Sequence, residues 1–140
     1  MLPARNHSSA EDLAKRLSGL ESQVDQLSRR DVLRSLGPLP LVLASGMTAG
    51  SDIACEAFLS AGIVHVMGEI IGSMGPGTTI ASLPDASMFP SSGIRVASGS
   101  GLVSGAGVPV WFDIHDDGTI ALSTYSPSSV TRVWFGHSFF

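Results

Sequence analysis

Apolar residues in the first thirty positions recur at Leu13, Leu17, Leu20, Val24 and Leu27, with gaps of four, three, four and three. That 3.5-residue spacing marks a helix that offers a narrow apolar seam to partner helices. Leu13, Leu20 and Leu27 take one core position of the heptad (d), and Leu17 and Val24 take the other (a). Ser8 with Glu11, or Ser9 with Asp12, makes a capping box ahead of the seam, and the acids suit the positive end of the helix. A lone helix of about 20 residues is marginal in water. Each seam leucine gains roughly 1.5–3 kcal/mol only when another surface covers it. Self-association is the direct reading; an amphipathic helix packed on its own domain is the alternative. The register ends at Leu27, because Asp31 would be the next core residue and Gly37-Pro38-Leu39-Pro40 stops any helix.

From Leu39 onward the period shifts towards two. Leu39 to Ala44, Ile53 to Leu59, Thr78 to Leu83, Ile94 to Ala97, Val108 to Ile114, Gly118 to Leu122 and Arg132 to Phe140 read as short strands. The clearest strand is Ile63 to Ile71, which alternates and is β-branched, with Gly68 as a bulge or a point of close packing. Gly75-Pro76-Gly77 is a turn, and His115-Asp116-Asp117-Gly118 is a hairpin turn in which Gly supplies positive φ. The fold class is therefore mainly β: an antiparallel β-sandwich head, behind a short N-terminal helical coiled coil. The expected organisation is an anchoring arm at 1–9, a coiled-coil stalk at 10–31, a linker at 32–38 that acts as hinge or collar, and the head at 39–140.

Composition sharpens this. The chain has 140 residues, 44% hydrophobic and only 14% charged, so its polarity comes from Ser, Thr and Gly. Such a surface suits a β-rich subunit partly covered by partners. Residues 35–140 hold two cations, Arg95 and Arg132, against seven acids, which excludes nucleic acid as a partner of the head. The single cysteine, Cys55, allows no disulfide within the chain. No run of 18 apolar residues exists, so no membrane span is expected. Ser28-Arg29-Arg30-Asp31-Val32-Leu33-Arg34 has the form of a twin-arginine export signal, with cleavage near Ala49 or Ala54. Its distance from Met1 and the interruptions at Pro38 and Pro40 argue against it.

Chemistry is sparse. The only lysine is Lys15, so no P-loop exists, and neither a Gly-x-Ser-x-Gly elbow nor a His-Glu-x-x-His motif occurs. No catalytic residue and no cofactor is expected. Asp113, His115, Asp116 and Asp117 form the one dense polar cluster, read as a strand end and turn rather than a metal site. Glu56 and Glu69, on adjacent strands, are the one carboxylate pair within reach of glycoside chemistry. His65 and His137 read as structural or interface histidines. Trp111, Tyr125 and Trp134 are the aromatics that, if exposed, would stack on sugars, and if buried would belong to the core or a subunit interface.

Two resemblances follow. Arg16-Leu17-Ser18-Gly19-Leu20-Glu21 resembles the short trimerisation motif of coiled coils, with Arg16 and Glu21 able to meet across neighbouring helices. Leu43-Ala44-Ser45-Gly46-Met47, Gly62 to Ile70, Thr79-Ile80-Ala81-Ser82-Leu83-Pro84, Asp117-Gly118-Thr119-Ile120-Ala121-Leu122 and the closing Gly136-His137-Ser138-Phe139-Phe140 stand in one order. Together they resemble the C-terminal head of tail-fibre, minor tail and receptor-binding proteins of phages, especially actinobacteriophages. The chain departs from that pattern at Met47, where Trp is common, and at Asp85 to Pro90, where Gly and an aromatic usually follow Leu-Pro. The resemblance implies a jelly-roll-like head and a homotrimer on the virion, held to other virion proteins through residues 1–9. The expected ligand is a host cell-wall glycan, bound through Trp111, Tyr125 and Trp134. A capsid decoration protein or head fibre is the alternative, and an exported hydrolase a third.

Light scattering at micromolar concentration is expected to return about three times the chain mass. Leu17→Asp or Leu20→Asp, which place charge in the seam, are expected to break the helical association; an unchanged mass would leave the head as the sole trimerising element.

Overall fold

The computed structural model describes the backbone of residues 4–29 and 35–140, with side chains for residues 10–23 and 35–140. Helix α1 (Ala4–Arg29) starts earlier than the capping-box reading, so Ser8 and Ser9 lie inside it and most of the expected arm is helical. Its seam is uncovered in the single chain: Leu13, Leu17 and Leu20 are 64%, 59% and 58% exposed. Val24 and Leu27 lie outside the residues with described side chains, as do Arg30 to Arg34 of the twin-arginine segment altogether.

Ten strands follow: β1 (Leu36–Pro40), β2 (Val42–Leu43), β3 (Thr48–Ala49), β4 (Glu56–Ser60), β5 (Ile63–Met74), β6 (Thr79–Ser82), β7 (Ile94–Val103), β8 (Ala106–His115), β9 (Thr119–Leu122) and β10 (Val130–Phe139). They form one sheet in the order β1-β4-β5-β10-β7-β8-β9-β6-β2, with β3 beside β5. Every pairing is antiparallel. The sandwich expectation is corrected: the two end strands of this order, β1 and β2, are neighbours in the chain, so the sheet wraps into a nearly closed barrel.

The closing segment explains why. Leu39 and Pro40 pair with Ala57 and Glu56 of β4. One residue later, Val42 and Leu43 pair with Ser82 and Ala81 of β6. Leu41 N–H donates to the Cys55 carbonyl and Ala44 N–H to that of Ile80. A segment whose backbone bonds run to both sides removes most of the exposed edge that an open sheet would carry. Residues 36–38, expected as linker, are thus part of the sheet, and cleavage at Ala49 or Ala54 would remove β1 and β2 from the barrel. Gly37 takes φ +95° there and is packed against the Ala57 carbonyl, so the turn that was read as a stop signal enters a strand instead.

Alternation places Leu59, Val64, Val66, Ile70, Val110, Phe112, Ile114, Ile120, Leu122, Val133, Phe135 and Phe139 inside, all nearly or wholly buried. β7 fills its share of the interior with Ala97, Gly99 and Gly101. A side chain at Gly99 would meet the Trp134 carbonyl and the Phe112 ring, and one at Gly101 would meet Val110. Small residues here make room for Phe112 and Phe135, whose rings sit 5.0 Å apart. The strand expected over Ile94 to Ala97 runs on to Val103, and β7 pairs β8 from Ile94↔His115 to Val103↔Ala106; glycine is unfavourable in a strand, and at Gly99 packing against Phe112 and Phe135 outweighs that. Gly68 is a close-packing point, facing Cys55 and Phe135. The second expected strand, Ile53 to Leu59, begins only at Glu56, and the short 3-10 turn Ala86–Met88 was not foreseen.

Gly99→Val is expected to cost about 3 kcal/mol, the upper range for overpacking a core. Urea unfolding would show a lower midpoint at unchanged slope.

Candidate functional site

The outer face of the barrel carries the candidate site. On β10 the outward residues are Arg132, Trp134 and Gly136, which pair with Ile71, Glu69 and Met67 of β5. On the other side Trp134 lies opposite Ser100 of β7. These strands, with Ile53 from the loop before β4, form an open groove of about 450 Å³ lined by Ile53, Met67, Ser98, Ser100, Trp134 and Gly136. Gly136, with nothing within 4 Å of where a Cβ would stand, and the two serines keep the floor low. The Trp134 indole forms one wall, and Met67 and Ile53 the other.

Arg132 stands over that indole, its guanidinium carbon 5.7 Å from the ring centroid. Its Nε lies 3.6 Å from Glu69 Oε1, an ion pair between a partly exposed guanidinium and a carboxylate that is almost wholly buried. Of the barrel's two cations, Arg95 is spent on the backbone carbonyls of Ser92 and Phe140. Arg132 is therefore the cation that the barrel presents beside Trp134, with no further acceptor among the described residues.

Glu56 and Glu69 lie on adjacent strands: Glu56 pairs with Met67, two residues before Glu69 on the same face of β5, and on its other side Glu69 lies opposite Trp134. The Glu69 carboxylate accepts from the Asp52 N–H at 2.8 Å, and its backbone carbonyl accepts from the Gly50 N–H at 2.8 Å and the Cys55 thiol at 3.0 Å. Residues 50–55 are thereby held against β5. Burial and the neighbouring Glu69 carboxylate push the Cys55 thiol up, with burial the larger cause.

The three aromatics expected to bind sugars share this outer surface. Trp111, 37% exposed, is opposite Ser98 on β8, one strand beyond the groove floor. The Ser126 hydroxyl both accepts from the Trp111 N–H and donates to its carbonyl, at 2.9 and 2.7 Å, and the Ser123 N–H donates to the same carbonyl. The loop so anchored holds Tyr125 out at 84% exposure. Trp134 and Trp111 stand two strands apart, about 10 Å at ordinary strand spacing. Arg132 and the wall residue Ile53 were not singled out from sequence. The signal that could have found Arg132 was its rarity, as one of two cations in an acidic head.

Other expected positions resolve locally. The Asp117 carboxylate caps the turn, accepting from the Thr119 N–H at 3.0 Å and the Thr119 hydroxyl at 2.7 Å, which holds it below the usual carboxylate range. Gly118 N–H closes the turn onto the His115 carbonyl, with φ +86°. No cluster of three or more metal-binding side chains occurs among the described residues. His65 faces outward, stacked on Phe58 at 4.5 Å and bonded through Nδ1 to the Ser138 hydroxyl at 2.7 Å. Burial depresses the pKa of His137, which lies beside Phe139. No helix among the described residues is long and apolar enough to cross a membrane.

No protein family and no curated protein matches the sequence. The barrel is similar to the crystal structure of the head domain of phage bIL170, a receptor-binding domain of a lactococcal phage. The TM-score is 0.54 and the identity 20%, over 72% of this chain and 94% of that one. At that identity the likeness is one of fold: a phage receptor-binding head, mainly antiparallel β.

A Cβ at position 50 would fall on the Glu69 carboxyl group. Gly50→Ala is expected to lift the 50–55 loop at a cost of about 1–3 kcal/mol, read as faster amide hydrogen exchange at Gly50 and Asp52 than in the native protein.

Proposed function

We propose that the chain is a virion protein of a bacteriophage, a homotrimeric tail-fibre or minor tail subunit whose barrel binds a host cell-wall glycan. The observation that carries this reading is the likeness of the barrel to the head of a lactococcal phage receptor-binding protein. The groove supplies what a saccharide needs. The Trp134 face stacks on the apolar face of a sugar ring. Ser98 and Ser100 offer hydroxyls at the floor, and Arg132, stacked on Trp134 outside the lining, would donate to hydroxyl or acidic groups of a ligand that extends over the indole. Trp111 and Tyr125 extend the aromatic surface away from the groove, so a polymer of several sugars would engage all three.

The exposed leucines of α1 support the trimer. Covering Leu13, Leu17 and Leu20 against two copies of the same helix buries a stripe that the single chain leaves in water. Arg16 and Glu21 flank that stripe, and Val24 and Leu27 continue it. Three heads on one stalk turn weak sites into firm attachment on a repetitive wall, since the second and third contacts form at high effective concentration. The first residues of the chain would join it to other virion proteins. No catalytic group, metal or cofactor enters this function.

Trp134→Ala is expected to lower the apparent affinity for wall polysaccharide from an actinobacterial strain about tenfold, near 1.4 kcal/mol, with the trimer intact by light scattering. Antibody labelling of phage particles is expected to mark the tail; label on the capsid shell would replace this reading with that of a decoration protein.

A further inference from the structure

We propose that Glu69 is the positioning residue of the groove: its buried charge sets both Arg132 on Trp134 and the loop that brings Ile53 to the opposite wall. The inference rests on the groove being the receptor site and names the residue through which its shape is held.

The argument begins with cost. Glu69 is 1% exposed, and it is the one acid among the buried residues. Withdrawing a carboxylate from water costs several kcal/mol that an ion pair only partly offsets. Pinning a loop alone does not require a charge, because a neutral amide oxygen also accepts an N–H. The charge is explained by the guanidinium, which a carboxylate holds more strongly than a neutral acceptor does. Glu69 Oε2 takes the Asp52 N–H while Oε1 faces Arg132, so one carboxylate addresses both sides of the groove with separate oxygens. Gly50 serves the same arrangement, since a side chain there would displace the carboxylate. With Glu69 in place the planar guanidinium lies over the indole, so its orientation is set before a ligand arrives, which lowers the ordering cost of binding.

Glu69→Gln separates the two duties, since it keeps the acceptor for Asp52 and removes the charge facing Arg132. Two readouts are needed. The first involves no receptor: the ring-current shift of the Arg132 δ- and ε-protons by Trp134, measured by NMR. It is expected to collapse in E69Q, while Asp52 amide protection persists. A ring-current shift equal to the native one overturns the proposal whether or not the chain binds glycan. The second is affinity for the actinobacterial wall polysaccharide. E69Q is expected to weaken binding about tenfold, the scale of one charge-assisted hydrogen bond at the ligand. In an Arg132→Ala background E69Q is expected to add no further loss, because its effect passes through Arg132. An equal loss in both backgrounds would assign Glu69 a structural role and overturn the proposal. If native protein binds no polysaccharide while the ring-current shift still collapses in E69Q, the receptor reading fails and the Glu69–Arg132 link stands. Where E69Q does not fold, Glu69→Asp, which keeps the charge but withdraws it by one methylene, is read by the same two measurements.

Discussion

The structure depends on a short stretch of backbone that bonds in two directions. Residues 36–40 complete one side of the sheet against β4, and residues 42–43 complete the other against β6, with Leu41 buried between them. Without that double pairing the order β4-β5-β10-β7-β8-β9-β6 would be an open sheet with two exposed edges. With it, the inward alternation of every strand converges on one interior, and the outward alternation becomes a continuous curved wall. The groove exists because that wall is continuous: β5, β10 and β7 must be adjacent for Met67, Gly136 and Ser98 to line one groove.

Closure also sets what the interior accepts. A barrel this small is filled by side chains, and a bulky residue on one strand demands a small one on the next. Phe112 and Phe135 are the bulky pair, and Gly99 is the answer to them on the strand between, while Gly101 makes room for Val110 and Val130. The same economy of side chains on β7 leaves Ser98 and Ser100 on its outer side, which is why the groove floor there is low. Core and site are two faces of one strand, and a change that enlarges β7 inward would disturb the outward surface as well.

The site brings together features that have no common origin along the chain. Ile53 comes from a loop before β4, Glu69 from the middle of the longest strand, and Arg132 and Trp134 from the last strand. A buried carboxylate joins them. In an acidic head this leaves one guanidinium beside Trp134, its charge paired with the buried Glu69 carboxylate. The outer aromatics Trp111 and Tyr125 lie within the same surface but are set by a different device, the bonds of Ser123 and Ser126 to the Trp111 backbone.

Local signals were enough to read much of this. The heptad spacing of Leu13, Leu17 and Leu20 identified a helix with an uncovered seam, because a period of 3.5 is written directly in residue spacing. Alternation from Ile63 to Ile71 identified β5 and its two faces, and Asp117-Gly118 identified the hairpin, because turn and pleat are local. What alternation does not contain is which strand lies beside which. Sandwich and closed barrel share the same strand patterns, and only the double pairing of residues 36–43 separates them. The strand that starts at Ile94 was expected only as far as Ala97, because what carries it onward, the packing of Gly99 against phenylalanines 13 and 36 positions away, is not local. Glu69 looked like one partner of a carboxylate pair because its neighbours in sequence say nothing of Arg132. The ion pair, the groove and the burial of that charge arise only when β5 and β10 come together, since each is a property of long-range packing that no stretch of sequence carries alone.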